Sequence, residues 1–259
     1  VALALALCGG VARAEAPKRV VSLNLCTDQL AMLLAAPGQL VAVTYLARDP
    51  RSSTMPDAAM AYDITYGGAE EVFLKRPDLV LAGTYTTRPT VEMLRRLGVP
   101  VEEFPIVQSL DEVAGQMRAV GRALGREAEG ARLAAAFEAG LAALRQDIAR
   151  RPRAALYYAN GWTGGRRSLA GEILAAAGFE NVAEEGGVLP LERLLIEAPD
   201  VVITGAPYPA ASRAEEVMDH PALAGLRREG AITDAEWVCG LPGVLSAIAR
   251  LGALREALP

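Results

Sequence analysis

The sequence predicts an α/β fold in two halves, each built on parallel strands, with a helical segment between them. Short β-rich runs alternate with helical ones from Arg19 to Phe104 and again after Pro152, the pattern of parallel β-α-β units. Between about Ser109 and Arg151 the β signal disappears. A stretch of the first half also recurs in the second, at the same place in the order of elements.

In the first half, Val20-Val21-Ser22-Leu23-Asn24-Leu25 reads as a strand. Thr27 is the expected N-cap of a helix that sets Leu30, Leu33 and Leu34 on one face until Pro37-Gly38 stops it. Val41 to Thr44 and Leu79 to Gly83 are further strands. The helix after Gly83 carries Val91, Leu94 and Leu97, ends at Gly98-Val99-Pro100, and gives way to a strand from Val101 to Phe104.

In the middle, Ser109-Leu110-Asp111-Glu112 has the spacing of a capping box, opening a helix to about Gly125. A second helical stretch, Ala128 to Arg150, aligns Leu133, Phe137, Leu141, Leu144 and Ile148 on one stripe. At 1.5 Å per residue it spans about 30 Å, as an ordinary surface helix or as a rigid strut between two lobes. In the second half, Ala155 to Ala159 and Val201 to Gly205 read as strands. Ser168 to Ala177, Ser212 to Met218, Ala222 to Arg228 and Gly243 to Leu258 read as helices.

The recurring stretch runs from Glu70 to Leu81 and from Glu192 to Ile203. In each copy a Glu opens a short helix, Pro-Asp turns the chain seven residues later, and an aliphatic strand follows that ends at Gly83 or Gly205.

Composition removes much of the catalytic menu. A single histidine among 259 residues excludes a multi-His metal site, and three cysteines at 8, 26 and 239 cannot form a disulfide framework or a structural zinc site. The net charge is −5 with no basic block, which argues against nucleic acid. No G-x-S-x-G elbow is present, and His220, followed by Pro221, reads as a structural residue at a helix start. The Gly161–Gly165 loop lies between strand and helix but lacks the Walker and dinucleotide spacings, so an enzyme acting there on a nucleotide or sugar is the rival reading. The run Val1 to Leu7, followed by Ala12-Arg13-Ala14, is the back half of a secretory signal with cleavage near Ala14. Lipidation of Cys8 is left open, and the mature protein is expected in the periplasm.

Aromatic residues stand at strand ends and in the loops near them: Tyr45 at a strand end, Tyr85 just past a strand, Trp162 in a Gly-rich loop and Trp237 just before Cys239. In an open parallel sheet those ends face the ligand crevice. Flat rings with a polar edge suit a large, partly apolar ligand; the same rings also serve to seal loops onto a core. Arg88 is a candidate for anionic groups of such a ligand.

Arg19-Val20-Val21-Ser22-Leu23-Asn24-Leu25, Val41-Ala42-Val43-Thr44-Tyr45, the Glu-x6-Pro-Asp segment in each half, His220-Pro221-Ala222-Leu223 and Trp237-Val238-Cys239-Gly240-Leu241-Pro242 follow one another in a specific order. In that order they resemble the helical-backbone substrate-binding proteins of ABC importers, which carry vitamin B12, ferric siderophores or haem. The resemblance covers the chain from about residue 18 to the end. It implies two Rossmann-like lobes with central parallel sheets joined by a single long α-helix: an N-terminal lobe at 18–107, a helical linker at 108–151 and a C-terminal lobe at 152–259.

The resemblance also implies a monomer with no reaction and no intrinsic cofactor, holding a cobalt- or iron-containing chelate between the lobes. Cobalamin is the first expectation, with a ferric siderophore or haem next. One glutamate on each lobe, Glu70 and Glu192, is implied to dock on the membrane permease. Ile64 or Tyr66 stands where the corrinoid binders place a stacking tryptophan, and Gly186-Gly187 stands at the matching position of the second lobe. Cys26 and Cys239 are both implied to face the cleft, either as a disulfide across its mouth or as free thiols beside the ligand.

Overall fold

The computed structural model describes residues 15–146, 148–205, 212–226, 228–229 and 234–258. The apolar N-terminal run, Cys8 and the cleavage point at Ala14 lie outside the described residues.

Two separate parallel sheets are built, one per lobe. The first contains β1 (Val20–Ser22), β2 (Leu40–Thr44), β3 (Asp63–Thr65), β4 (Leu79–Gly83) and β5 (Val101–Phe104), in the order β3-β2-β1-β4-β5. Its connections include α1 (Leu25–Leu34), α2 (Pro56–Ala59), α3 (Ala69–Leu74) and α4 (Arg88–Arg96). Strand order that reverses at a central β1 is the doubly wound arrangement, with its crevice at the carboxyl ends of the strands.

The linker is two helices, α5 (Leu110–Ala123) and α6 (Glu127–Leu144), which approach each other through glycine. A Cβ on Gly121 would lie 2.8 Å from the Gly130 Cα. The second sheet contains β6 (Arg153–Leu156), β8 (Glu180–Asn181), β10 (Val201–Ile203) and β11 (Arg228–Glu229), in the order β11-β10-β6-β8. A small antiparallel pair, β7 (Trp162–Thr163) with β9 (Gly187–Val188), lies beside it. Helices α7 (Leu169–Ala176), α8 (Leu191–Glu197) and α9 (Val244–Glu256) complete the lobe.

Strand periodicity sorts the core. Val20 faces one cluster and Val21 another; Ala154 and Ala155, and Val201 and Val202, divide in the same way. The shared cluster gathers α1, α5, α6, α7 and α9 against one face of both sheets, so a single apolar core runs from lobe to lobe. Buried aliphatic side chains contribute about 1.5–3 kcal/mol each.

The recurring stretch folds alike in both lobes. β1 pairs with β4 as Val20↔Leu79, and β6 pairs with β10 as Ala154↔Val201. The residue before each Pro, Arg76 and Ala198, is left-handed with φ of 51° and 44°. Arg19 N–H donates to Asp78 Oδ1 at 2.9 Å, and Arg153 N–H donates to Asp200 Oδ2 at 2.7 Å. Each arginine side chain then donates to backbone carbonyls at the end of the helix, Lys75 O and Glu197 O respectively.

Several expected boundaries move. α1 begins at Leu25, because Asn24 rather than Thr27 is its cap and accepts from Cys26 and Thr27 N–H. Thr27 is buried, its hydroxyl donating to Asn24 O. The capping box at Ser109 does not close. Glu112 accepts from Gln108 N–H, while Leu110 N–H is taken by Glu172 of α7 at 2.6 Å.

α6 stops at Leu144 rather than Arg150, with Phe137 the buried member of its stripe. Leu97 lies past the end of α4 and is exposed. The helices expected at Ser212–Met218 and Ala222–Arg228 are short 3-10 turns at Glu216–Asp219 and Pro221–Leu223. The second of these leads into β11, which occupies the place beside β10 that β5 occupies beside β4. His220 opens that turn as expected, its Nδ1 accepting from Ala222 N–H.

Candidate functional site

The strands of the N-terminal lobe release aromatic side chains at their carboxyl ends. Tyr45 follows β2 and Tyr66 follows β3, and because those strands are neighbours the two rings stack, with centroids 5.4 Å apart and planes 24° from parallel. They remain 51% and 78% exposed, so the pair presents open ring surface and two phenols. Tyr85, just past β4, is 81% exposed, and on the other lobe Trp162 of β7 is 55% exposed.

What holds Tyr45 in place was not read from the sequence. Asp28, buried in the first turn of α1, accepts from the Thr44 N–H at 3.1 Å and from the Thr44 hydroxyl at 2.5 Å. The end of β2 is thereby fixed one residue before Tyr45. Burial pushes the Asp28 carboxyl up to about 7, only partly opposed by hydrogen bonds from Ser22 and Thr44. Its Oδ1 has no hydrogen-bond partner. The available signal was a lone acid in α1, whose other residues carry no charge.

Cys26 and Cys239 are joined by a disulfide, their Cα atoms 5.3 Å apart. The bond ties the start of α1 to the segment leading into α9, and neither sulfur is a free thiol. Both residues line a cavity of about 230 Å³ together with Asn24, Tyr85, Phe104 and Gln116. Gln29, fully buried, accepts from Thr54 N–H and Thr54 Oγ1 while its amide reaches Cys239 Sγ at 3.9 Å. Trp237 is a correction: the ring is 5% exposed within the shared core, and no open face of it reaches the groove.

Arg88 opens α4 with its side chain 70% exposed and lies 3.7 Å from Glu103, which Arg95 engages at 2.7 Å. Glu70 and Glu192 are exposed second residues of α3 and α8. The Gly161–Gly165 loop is closed by packing. A Cβ on Gly165 would fall 2.4 Å from the Gly186 nitrogen, and Ser168 spends its hydroxyl on Gly165 O and Gly171 N–H. These glycines permit β7 and β9 to approach. Among the described residues no group of three His, Cys, Asp or Glu is placed to hold a metal ion, and no helix is long and apolar enough to cross a membrane.

A family model described as periplasmic binding protein matches residues 20–227. The structure is similar to the periplasmic heme-binding protein RhuT from Roseiflexus sp. RS-1, with a TM-score of 0.78 and 25% identity over 93% of this chain and 99% of that one. It is similar to the heme-binding protein BhuT in complex with two hemes, at 0.75 and 22% over 93% and 99%. The vitamin B12 binding protein BtuF of Vibrio cholerae gives 0.69 and 19% over 93% and 98%. No curated protein sequence matches the chain.

Proposed function

The chain belongs to the periplasmic binding protein family, and from that premise we propose that it captures haem between its lobes and hands it to the permease of an ABC importer. It is a binding protein, not an enzyme. The stacked Tyr45–Tyr66 pair carries the choice of ligand. Two exposed phenols on adjacent strands offer hard oxygen donors to ferric iron and a flat surface to a porphyrin. Trp162 supplies a second flat face from the opposite lobe, and Arg88 is available to a propionate. RhuT and BhuT, both heme-binding by name, share the fold along nearly their whole length. The inter-lobe disulfide suits an oxidising compartment reached by cleavage near Ala14.

Cobalamin is the second reading, since BtuF has the same fold and Trp162 is able to stack on a corrin. It is weaker because Tyr66 offers a phenol rather than an indole on the first lobe. The mature chain works as a monomer, with Glu70 and Glu192 docking on the permease.

Titration with haemin and, separately, with cyanocobalamin distinguishes the two. The expected result is a Soret shift with quenching of Trp162, loss of the tyrosinate signature in the Tyr45→Phe/Tyr66→Phe double variant, and no response to cyanocobalamin. Binding of cyanocobalamin without binding of haemin overturns the choice of haem.

A further inference from the structure

The two stacked tyrosines are held in the same manner from two different helices. Asp28 of α1 is fully buried and accepts both the N–H and the hydroxyl of Thr44, the last residue of β2, so the chain is fixed immediately before Tyr45. Glu71 of α3 accepts the N–H of Tyr66 itself at 3.1 Å. Thr65, the buried last residue of β3, accepts from Gly67 N–H at 3.1 Å and closes the turn around Tyr66 from its other side. Each ring therefore leaves a main chain that a carboxylate pins at the ring's own residue or the one before it.

Neither carboxylate is explained by its own helix. Asp28 stands in the first turn of α1, but the Asn24 side chain already serves the Cys26 and Thr27 N–H groups there. Capping therefore does not account for a buried carboxyl, which is costly to keep in an apolar setting. Glu71 stands third in α3, a position whose carboxylate commonly reaches back to the capping residue; here it passes Gly68 and takes Tyr66. The sheet does not hold the rings either. Its ladder pairs Thr44 with Thr65 and stops, so Tyr45 and Tyr66 leave adjacent strands at one level, just beyond the last paired residues. Stacking between two exposed rings is weak by itself.

We propose that Asp28 and Glu71 are positioning residues for ligand capture: each carboxylate holds the strand end that carries one tyrosine, and together they set the spacing and tilt at which the two phenols meet the ligand. The proposal rests on the tyrosine reading above. It adds that affinity depends on pre-organisation by two residues that act through the main chain of the rings rather than on the ligand.

The test measures haemin affinity and the tyrosinate signature of the bound form for Asp28→Ala, Asp28→Asn, Glu71→Ala and Glu71→Gln in the full mature protein, with the urea midpoint of each. The amide side chains keep an acceptor oxygen and the alanines do not. Each alanine variant is expected to bind haemin about tenfold more weakly with a diminished signature, and each amide variant to stay within about twofold of unaltered protein. In the Tyr45→Ala/Tyr66→Ala background the alanine variants should weaken haemin no further, because they act only through the rings. Thr44→Val, which removes the hydroxyl and keeps the N–H, should weaken haemin about threefold and takes the place of Asp28→Ala if that variant does not fold. If the tyrosine variants weaken haemin and the alanine variants of the carboxylates do not, the tyrosine reading stands and the positioning role is overturned. Equal losses for amide and alanine variants, or a further loss in the tyrosine-free background, overturn it as well. If unaltered protein does not bind haemin, both fall.

Discussion

Cys26 and Cys239 are bonded across the lobes, 213 residues apart in sequence, on the wall of the inter-lobe cavity. The lobes are thus joined twice, through the α5–α6 linker and through sulfur. Closing so long a loop in the unfolded chain is where most of the stabilisation arises in the chain-entropy account.

The Cys26→Ser/Cys239→Ser variant is expected to lose roughly 5 kcal/mol at most by that account, read as a lower urea midpoint. Wild type in reductant should approach the variant, and the variant itself should not respond to reductant.

Asp28 makes stability depend on pH. Burial raises its folded carboxyl from the ordinary 3.8 to about 7. Below the lower value both states are protonated and nothing is lost; between the two, the unfolded chain sheds a proton that the folded chain keeps, so stability falls as pH rises; above 7 the loss is complete. The full span is at most about 4 kcal/mol. Asp28→Asn should flatten the unfolding free energy between pH 4 and 7 and be the more stable protein at pH 8. An unchanged pH profile counts against a buried, neutral Asp28.

Tyr66 contributes a ring face that is already stacked on Tyr45. Tyr66→Ala should weaken haemin about threefold to tenfold, the value of one aromatic pair, in a Soret titration. Trp237→Phe should leave haemin affinity unchanged, because its ring is inside the core.

Ala198 holds a left-handed backbone at φ 44° with a side chain that disfavours it. Ala198→Gly should stabilise the protein by about 1 kcal/mol. Ala247→Gly, in the buried face of α9, should destabilise it by a similar amount. Thermal unfolding of both variants checks the opposite signs.

Local patterning determined the two-lobe plan. Alternating β and α segments, the gap in β signal and the Glu-to-Pro-Asp repeat are properties of neighbouring residues, so they were legible in the chain and reappear as two parallel sheets with matched register. The exposed Tyr45 and Tyr85 were legible for the same reason, since a strand end fixes where the next side chain emerges. Long-range contacts decided the rest. Trp237 lies in the shared core, two residues before the cysteine bonded to α1, and the Leu110 N–H found its acceptor in Glu172, distant in sequence. Ala222 to Arg228 became a turn and a strand because β10 had an open edge to pair. Asp28 acquired its shifted acidity only through burial. Spacing and propensity act over a few residues, whereas burial, pairing and cross-links depend on which distant elements meet, and only the folded chain settles that.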